Sequence, residues 1–179
     1  MRTSCLSLKQ PWAHLIIHGL PDRTGAIHRK NVENRSWRPV LTIALPLRLV
    51  IHASAKQDPR EYWAAVNLCQ QEGLDCRGLL VNEQPAPPVG GIIGMVEVWR
   101  IDPPGDDDLD SAWRVRGQYG WRVRNPRPLP FYACRGSLGL WPPTREILAL
   151  LELPVLTPAG PAPVYLEENN QLPGWAANV

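Results

Sequence analysis

Residues 30–37, with the sequence KNVENRSW, carry more ionised groups than the core of a small protein accepts. In an extended chain successive side chains point to opposite faces, so Glu33 and Arg35 would share one face and Lys30 would lie on the other. Ionised side chains are rarely buried unless they are paired. The segment therefore predicts the wall of a solvated cleft, where an ammonium, a carboxylate and a guanidinium could hold a planar anionic ligand such as a nucleotide.

An isolated K-x-x-E-x-R pattern is more typical of a solvated strand with a surface ion pair. Two neighbouring blocks favour the cleft over that alternative. Residues 7–19 read SLKQPWAHLIIHG, an apolar helical run that ends at a glycine, and residues 48–56 read RLVIHASAK. Each block also places a lysine, Lys9 or Lys56, beside polar residues.

Together the three blocks resemble the ASCH family, named after activating signal cointegrator homology. Its mark is a helix-ending glycine followed by Lys, Glu and Arg at the spacing of Lys30, Glu33 and Arg35. The resemblance covers residues 5–141, and the S-x-x-Q-P-W-A-x-L opening at Ser7 is closest to the carboxy-terminal ASCH domain of the transcriptional coactivator. One departure is that residues 20–29 separate Gly19 from Lys30, where relatives have a single residue.

The resemblance implies an α+β fold: a small, mostly antiparallel β-barrel with flanking helices and a cleft. This barrel is of the pseudouridine-synthase-and-archaeosine-transglycosylase-like (PUA-like) type. Glycines in the apolar stretch of residues 90–99 suit the tight curvature of such a barrel. We expect residues 1–151 to form the ASCH domain and residues 152–179 a carboxy-terminal extension, partly ordered or wrapping the domain.

Composition places the chain among ordinary globular proteins: 179 residues, 44% of them hydrophobic, fit one domain with one core. No apolar run approaches the ~18 residues of a membrane helix, and the first nine residues lack the apolar core of a signal peptide. A cytoplasmic protein is expected. The four cysteines form no C-x-x-C pair and predict reduced, mostly buried thiols. His14 and His18 could bridge a metal, but solvated or capping histidines are the preferred interpretation, and no metal or cofactor is expected.

Charge is distributed unevenly along the chain. Residues 1–60 hold ten Lys/Arg against three Asp/Glu, residues 61–112 hold two against ten, and residues 113–146 hold seven against one. This pattern predicts a basic face assembled from the first and third regions, able to meet phosphate. The chain has only three lysines against sixteen arginines, and all three lysines, Lys9, Lys30 and Lys56, lie in the motif blocks.

Local patterns predict the remaining elements. Three helices are expected. The first starts at Pro11 and ends at Gly19, the second has Asp58 as its N-cap and is stopped by Gly73, and the third covers residues 143–151 with Thr144 as its cap. The expected strands are residues 5–8, 41–47 (an edge strand), 49–53, 90–99 and 117–124. Residues 84–89 and the acidic residues 102–110 are expected to be loops, the latter solvated, and residues 125–128 a turn.

The first functional hypothesis is binding of single-stranded or modified RNA, with DNA as the second candidate. Phosphates would meet Lys9, Lys56 and Arg135, and a base would stack on Trp37 or Tyr119. Gln10, Glu33 and Asn34 would read a base edge. The cleft set is completed by Trp12, Lys30, Arg35 and Ser54, although core packing is the preferred role for the indole of Trp12.

The alternative is a hydrolase, with Lys30, Glu33 and Lys56 as catalytic candidates. Small bacterial relatives in the family remove acetyl from acetylcytidine with a Lys, a Thr three residues later and a separate Glu, and another branch cuts RNA. Here Glu33 stands where that Thr would be, so the hydroxyl is missing, and Ser36 and Ser54 are substitutes without motif support. Because this triad is incomplete, binding is preferred and enzymatic activity stays open.

Overall fold

The computed structural model describes residues 2–38, 44–81, 84–106 and 111–152. In these ranges the strands are β1 (Thr3–Leu8), β2 (Leu20–Pro21), β3 (Ile27–His28), β4 (Val32–Arg35), β5 (Leu47–Ala53), β6 (Leu80–Val81), β7 (Gln84–Pro85), β8 (Gly91–Asp102), β9 (Tyr119–Ala133) and β10 (Leu140–Trp141). The helices are α1 (Trp12–Ile17), α2 (Pro59–Gln71) and α3 (Arg145–Leu151), with a 3₁₀ turn at Cys76–Leu79.

Six of these strands form one sheet, in the order β10-β1-β5-β8-β9-β4. Only β1 and β5 pair in parallel, and every other neighbouring pair is antiparallel. The long strands β8 and β9 pair with three register shifts. Such bulges bend and twist a sheet, and this one curls into a half-barrel. The predicted α+β, mostly antiparallel fold with flanking helices is confirmed.

Helix α1 packs directly onto the sheet at a glycine of β8. A Cβ atom on Gly94 would lie 2.7 Å from Cγ2 of Ile17 and 2.8 Å from the Arg127 carbonyl oxygen. Any larger residue would push the helix away, so the predicted role of glycine in close approach is confirmed at this position. Ile16 and Ile17 are fully buried in this layer, and each contributes about 1.5–3 kcal/mol by burial.

The ten residues between Gly19 and Lys30 form a small hairpin of β2 and β3. Gly19 has a φ of 69°, and a Cβ there would lie 2.4 Å from the His28 carbonyl oxygen, so helix end and hairpin both require glycine. The hairpin returns the chain to the helix, where the Lys30 backbone N–H donates to the Leu15 carbonyl at 3.0 Å. The insertion therefore leaves Lys30 beside α1.

Both predicted helix caps are confirmed. The Asp58 carboxylate accepts from the backbone N–H groups of Arg60 (3.1 Å) and Glu61 (3.4 Å), which lowers its pKa. The hydrogen bond from the Glu61 N–H is the main cause of the lowered pKa of Asp58. Thr144 accepts from the Ile147 N–H at 3.4 Å. Helix α1 begins one residue later than predicted, with Pro11 as the residue that precedes it.

The turn predicted at residues 125–128 is wrong. Strand β9 runs through this region, and Asn125, with a φ of 51°, absorbs the irregularity within the strand. Pro126 and Pro128 are tolerated because this half of β9 pairs with β8 alone, and an edge strand does not need every N–H. The loop predicted at residues 84–89 is also wrong at its start, because Gln84–Pro85 pairs with Leu80–Val81.

The acidic segment predicted as a solvated loop begins with a buried residue. Asp102 ends β8 and is 1% exposed. Its carboxylate pairs with Arg122 and with Arg100. Burial alone would raise the pKa of Asp102, but the hydrogen bonds from the two guanidinium groups outweigh it and hold the pKa below its ordinary value. The prediction of a solvated turn is therefore wrong at Asp102.

Other predictions fall partly outside the described residues. The proposed edge strand at 41–47 includes residues 41–43, the acidic loop includes residues 107–110, and the carboxy-terminal extension lies beyond residue 152. Among the described helices, none has the length and apolar character needed to span a bilayer. All four cysteines are free and three of them are buried, as predicted.

Candidate functional site

A cavity of about 580 Å³ opens between the end of β1, the start of α1, strand β4 and two loops. This volume lies in the range of small-molecule sites. Its charged lining comprises Lys9, Lys30, Glu33, Arg35, Lys56 and Glu61. Four cations therefore meet two carboxylates, and the cavity carries an excess of positive charge.

All three lysines of the chain line this one cavity. Lys9 and Lys56 converge because β1 and β5 are parallel neighbours whose register pairs Leu8 with Ala53. The residues that follow two such strands emerge at the same edge of the sheet. Lys30 joins them through its backbone bond to α1.

Lys30 and Glu33 form a buried ion pair at one wall of the cavity. Lys30 is 4% exposed, and its Nζ donates to the Val32 carbonyl at 2.5 Å and to Glu33 Oε2 at 2.8 Å. The prediction of a solvated wall is therefore wrong for these two residues. Lys30 precedes β4 and does not follow the strand's alternation, so its side chain can fold back onto Glu33.

Arg35 faces the other oxygen of the same carboxylate. Its Nε lies 3.2 Å from Glu33 Oε1, an ion-pair distance without hydrogen-bond geometry. Nε and Nη2 are both buried and make no hydrogen bond to any residue that the structure describes. The Arg35 side chain is 22% exposed and lines the cavity, so the guanidinium still presents its charge to a ligand there.

Lys9 and Trp12 are tied to α2 through one carboxylate. Glu61 accepts from the Lys9 ammonium and from Trp12 Nε1, the latter at 2.9 Å. The hydrogen bond to Glu61 is the main cause that raises the pKa of Lys9. The Lys30 ammonium lies 5.6 Å from the centroid of the Trp12 ring. Trp12 thus presents a fixed aromatic wall to the cavity.

The loop of residues 111–118 is held in place by the carboxamide of Asn34. Asn34 Nδ2 donates to the Trp113 carbonyl at 2.7 Å, and Asn34 Oδ1 accepts from the Val115 N–H at 2.9 Å. These bonds place Trp113 and Gln118 in the lining. Asn34 therefore acts on the cavity by positioning this loop.

A second loop, residues 134–139, is pinned to β1 and β5. Ser7 Oγ donates to the Ser137 carbonyl at 3.0 Å, and His52 Nε2 lies 3.0 Å from the Cys134 carbonyl oxygen. A Cβ on Gly136 would lie 2.5 Å from both His52 Cε1 and Ser7 Oγ, so only glycine fits there. The loop contributes Ser137, Leu138 and Gly139 to the cavity.

The structure brings together eight of the twelve residues predicted for the site. These are Lys9, Trp12, Lys30, Glu33, Asn34, Arg35, Ser54 and Lys56. The Lys56 side chain is exposed, and its backbone N–H donates to Ser54 Oγ at 3.2 Å. Ser36, the other hydroxyl considered, is exposed and does not line the cavity.

Four predicted residues do not line the cavity. Gln10 is buried, and its amide atoms bond to the Pro88 carbonyl and the His14 N–H. Trp37 packs edge-on against Trp121 at 5.0 Å, and Tyr119 also packs on the core. Arg135 is exposed on the loop of residues 134–139. The indoles that line the cavity are therefore those of Trp12 and Trp113, and the predicted Trp37 is not among them.

Sequence reasoning missed Ser7, Glu61, Trp113 and Gln118 as lining residues. Ser7 is the first residue of the S-x-x-Q-P-W-A-x-L motif, and this position could have predicted its place in the cavity lining. Glu61 was assigned to a capping box, but its carboxylate bonds to α1 instead. Trp113 and Gln118 gave no signal, because a loop held by a distant asparagine has no local sequence mark.

His14 and His18 lie side by side on α1, with ring centroids 4.8 Å apart. They are partly buried rather than solvated, and neither lines the cavity. Burial lowers the pKa of both, that of His14 to about 3, so the pair is uncharged at neutral pH. The described residues contain no group of three His, Cys, Asp or Glu side chains arranged as metal ligands.

No family model matches the sequence, and no curated protein does. Among solved structures the chain resembles the ASCH protein from Zymomonas mobilis, with 15% identity over 84% of this chain and 93% of that one and a TM-score of 0.45. Two single-substitution variants of the same protein match as well. One has 15% identity over 84% and 94% of the two chains with a TM-score of 0.45, and the other 16% over 74% and 76% with a TM-score of 0.38. These three solved structures are thus all of one ASCH protein.

Proposed function

We propose that this chain is an ASCH nucleic-acid-binding module that takes one nucleotide of a single-stranded RNA into the cavity. The observation that carries the proposal is the gathering of all three lysines and Arg35 around two indoles in one cavity. Cations suit phosphate and indoles suit base faces. DNA is the second ligand to test, because neither the cations nor the indoles distinguish the sugars.

Each group has a role that its geometry supports. Lys9 and Lys56 stand where β1 and β5 end and would meet phosphates. Trp12 or Trp113 would stack on the base, a contact of about 1–3 kcal/mol. Arg35 and Gln118 line the cavity with amide or guanidinium groups, and they would bond to the base edge. Gln10 and Asn34 hold other parts of the protein together instead.

The test is fluorescence anisotropy with a labelled single-stranded RNA, a single-stranded DNA and an RNA duplex over a salt series. Lys56→Ala removes an exposed cation, so folding should be unaffected. We expect its Kd for single-stranded RNA to rise roughly tenfold and the salt slope to shrink by about 0.7. Arg77→Ala is the matched control, because it removes an exposed positive charge outside the cavity. Equal losses in both variants, or no binding at low salt, would contradict the proposal.

One observation favours hydrolysis as a second function: Lys30, Glu33 and the Ser54 hydroxyl line the same cavity. They would act on acetylcytidine or on RNA as base and nucleophile. The wild type and Lys30→Ala should be incubated with each substrate and the products separated by chromatography. Product formed by the wild type but not by Lys30→Ala would support hydrolysis. RNA that is bound by the wild type but not cleaved would support binding as the function.

A further inference from the structure

Two apolar side chains on the rim of the cavity are open to solvent. Leu138 is 97% exposed and Val115 is 45% exposed, and both line the cavity. The other exposed large hydrophobic residues among those described range from 40% to 49%. Single exposed apolar residues are ordinary on protein surfaces, so the position of these two is the informative feature.

The loops that carry these residues are anchored next to them. Ser137, which precedes Leu138, accepts the bond from Ser7 Oγ at 3.0 Å. The Val115 N–H donates to Asn34 Oδ1 at 2.9 Å. Both apolar side chains are therefore presented at the rim by fixed backbone.

Two exposed cations belong to the same part of the molecule as Leu138. Arg135 lies three residues before it on the same loop, and Lys56 lines the same cavity. An apolar side chain together with cations matches a polynucleotide, which offers phosphates to the cations and base faces to the apolar group. Leucine is one of the residues that proteins use as an apolar wedge between bases.

We propose that Leu138 and Val115 extend this site to the two nucleotides that flank the one inside the cavity. With one base inside the cavity, Leu138 contacts the face of a neighbouring base, and Val115 contacts the base on the other side. The inference rests on the proposed function. A ligand that makes all of these contacts must contain at least three consecutive nucleotides.

The test compares a labelled nine-nucleotide single-stranded RNA with the four 5′-mononucleotides, whose Kd values come from competition. The wild type should bind the nonamer at least tenfold more tightly than any mononucleotide. Leu138→Ala should weaken nonamer binding roughly fivefold, about 1 kcal/mol, and weaken mononucleotide binding by a smaller factor.

Leu148→Ala is the matched control, since Leu148 is 42% exposed on α3 and does not line the cavity. Nonamer binding by Leu138→Ala within twofold of wild type would overturn the inference alone, and so would equal binding of mononucleotides and nonamer. Absence of any binding by the wild type would instead remove the proposed function, and the inference with it.

Discussion

Glu33 and Asp102 are two carboxylates that each lie between two cations, yet only Glu33 opens on a cavity. Glu33 pairs with Lys30 and Arg35 in the cavity lining. Asp102 pairs with Arg100 and Arg122 where β8 meets β9, and it does not line the cavity. The same chemistry therefore holds two strands together at one place and forms part of a cavity wall at the other. Burial and partners, rather than the charge pattern in the sequence, separate the two.

The largest expected effect is a loss of stability when the structural cluster is broken. This cluster consists of Arg100, Asp102 and Arg122. Asp102→Ala removes the buried carboxylate that pairs with both Arg100 and Arg122. We expect a loss of about 3–5 kcal/mol in the free energy of unfolding. Urea denaturation followed by tryptophan fluorescence measures it, and RNA affinity of the fraction that stays folded should match the wild type. A stable variant with impaired binding would reverse the roles assigned to the two clusters.

Breaking the cavity cluster, which consists of Lys30, Glu33 and Arg35, should cost less stability and should weaken RNA binding. Lys30→Met removes the ammonium but leaves Glu33 beside Arg35, on a cavity that admits water. We expect the free energy of unfolding to fall by about 1–3 kcal/mol. RNA affinity should fall roughly tenfold, a loss of about 1.4 kcal/mol. Urea denaturation and anisotropy on the same preparation give both numbers, and unchanged affinity would separate this ion pair from the ligand site.

The smallest expected effect is the pH dependence of the stability that the Asp102 carboxylate contributes. The pKa of Asp102 lies below its ordinary value of 3.8, so on acidification the unfolded chain takes up this proton before the folded one. The stability from the charged carboxylate is therefore present above pH 3.8 and is lost as the pH falls further, at up to about 1.4 kcal/mol per pH unit.

Asp102→Asn isolates that contribution, because the other acidic groups are the same in both proteins. The difference in unfolding free energy between wild type and variant should be constant above about pH 5 and shrink toward pH 2.5. Urea denaturation across this range measures it. A difference that does not change with pH would show that Asp102 is not held ionised by its arginines.

Local signals predicted much of this molecule. The caps at Asp58 and Thr144 and the glycines at the ends of α1 and α2 are set by the local backbone, and the strand near Gly94 is marked by its apolar run. The turn at 125–128 failed because proline and asparagine are also tolerated on an unpaired strand edge. Whether that edge is paired depends on the whole sheet.

The charged residues of the cavity can be read from the amino-acid sequence, as three lysines in three motif blocks and an alternating segment around Glu33. The burial of Lys30 and Glu33 as a pair, and the place of Trp113 rather than Trp37 in the cavity lining, cannot be read in this way. Both depend on strand pairing, because pairing sets which side chains are covered and which become neighbours. Parallel pairing of β1 with β5 joins Lys9 to Lys56, and the Asn34 carboxamide brings in a loop 79 residues away at Trp113.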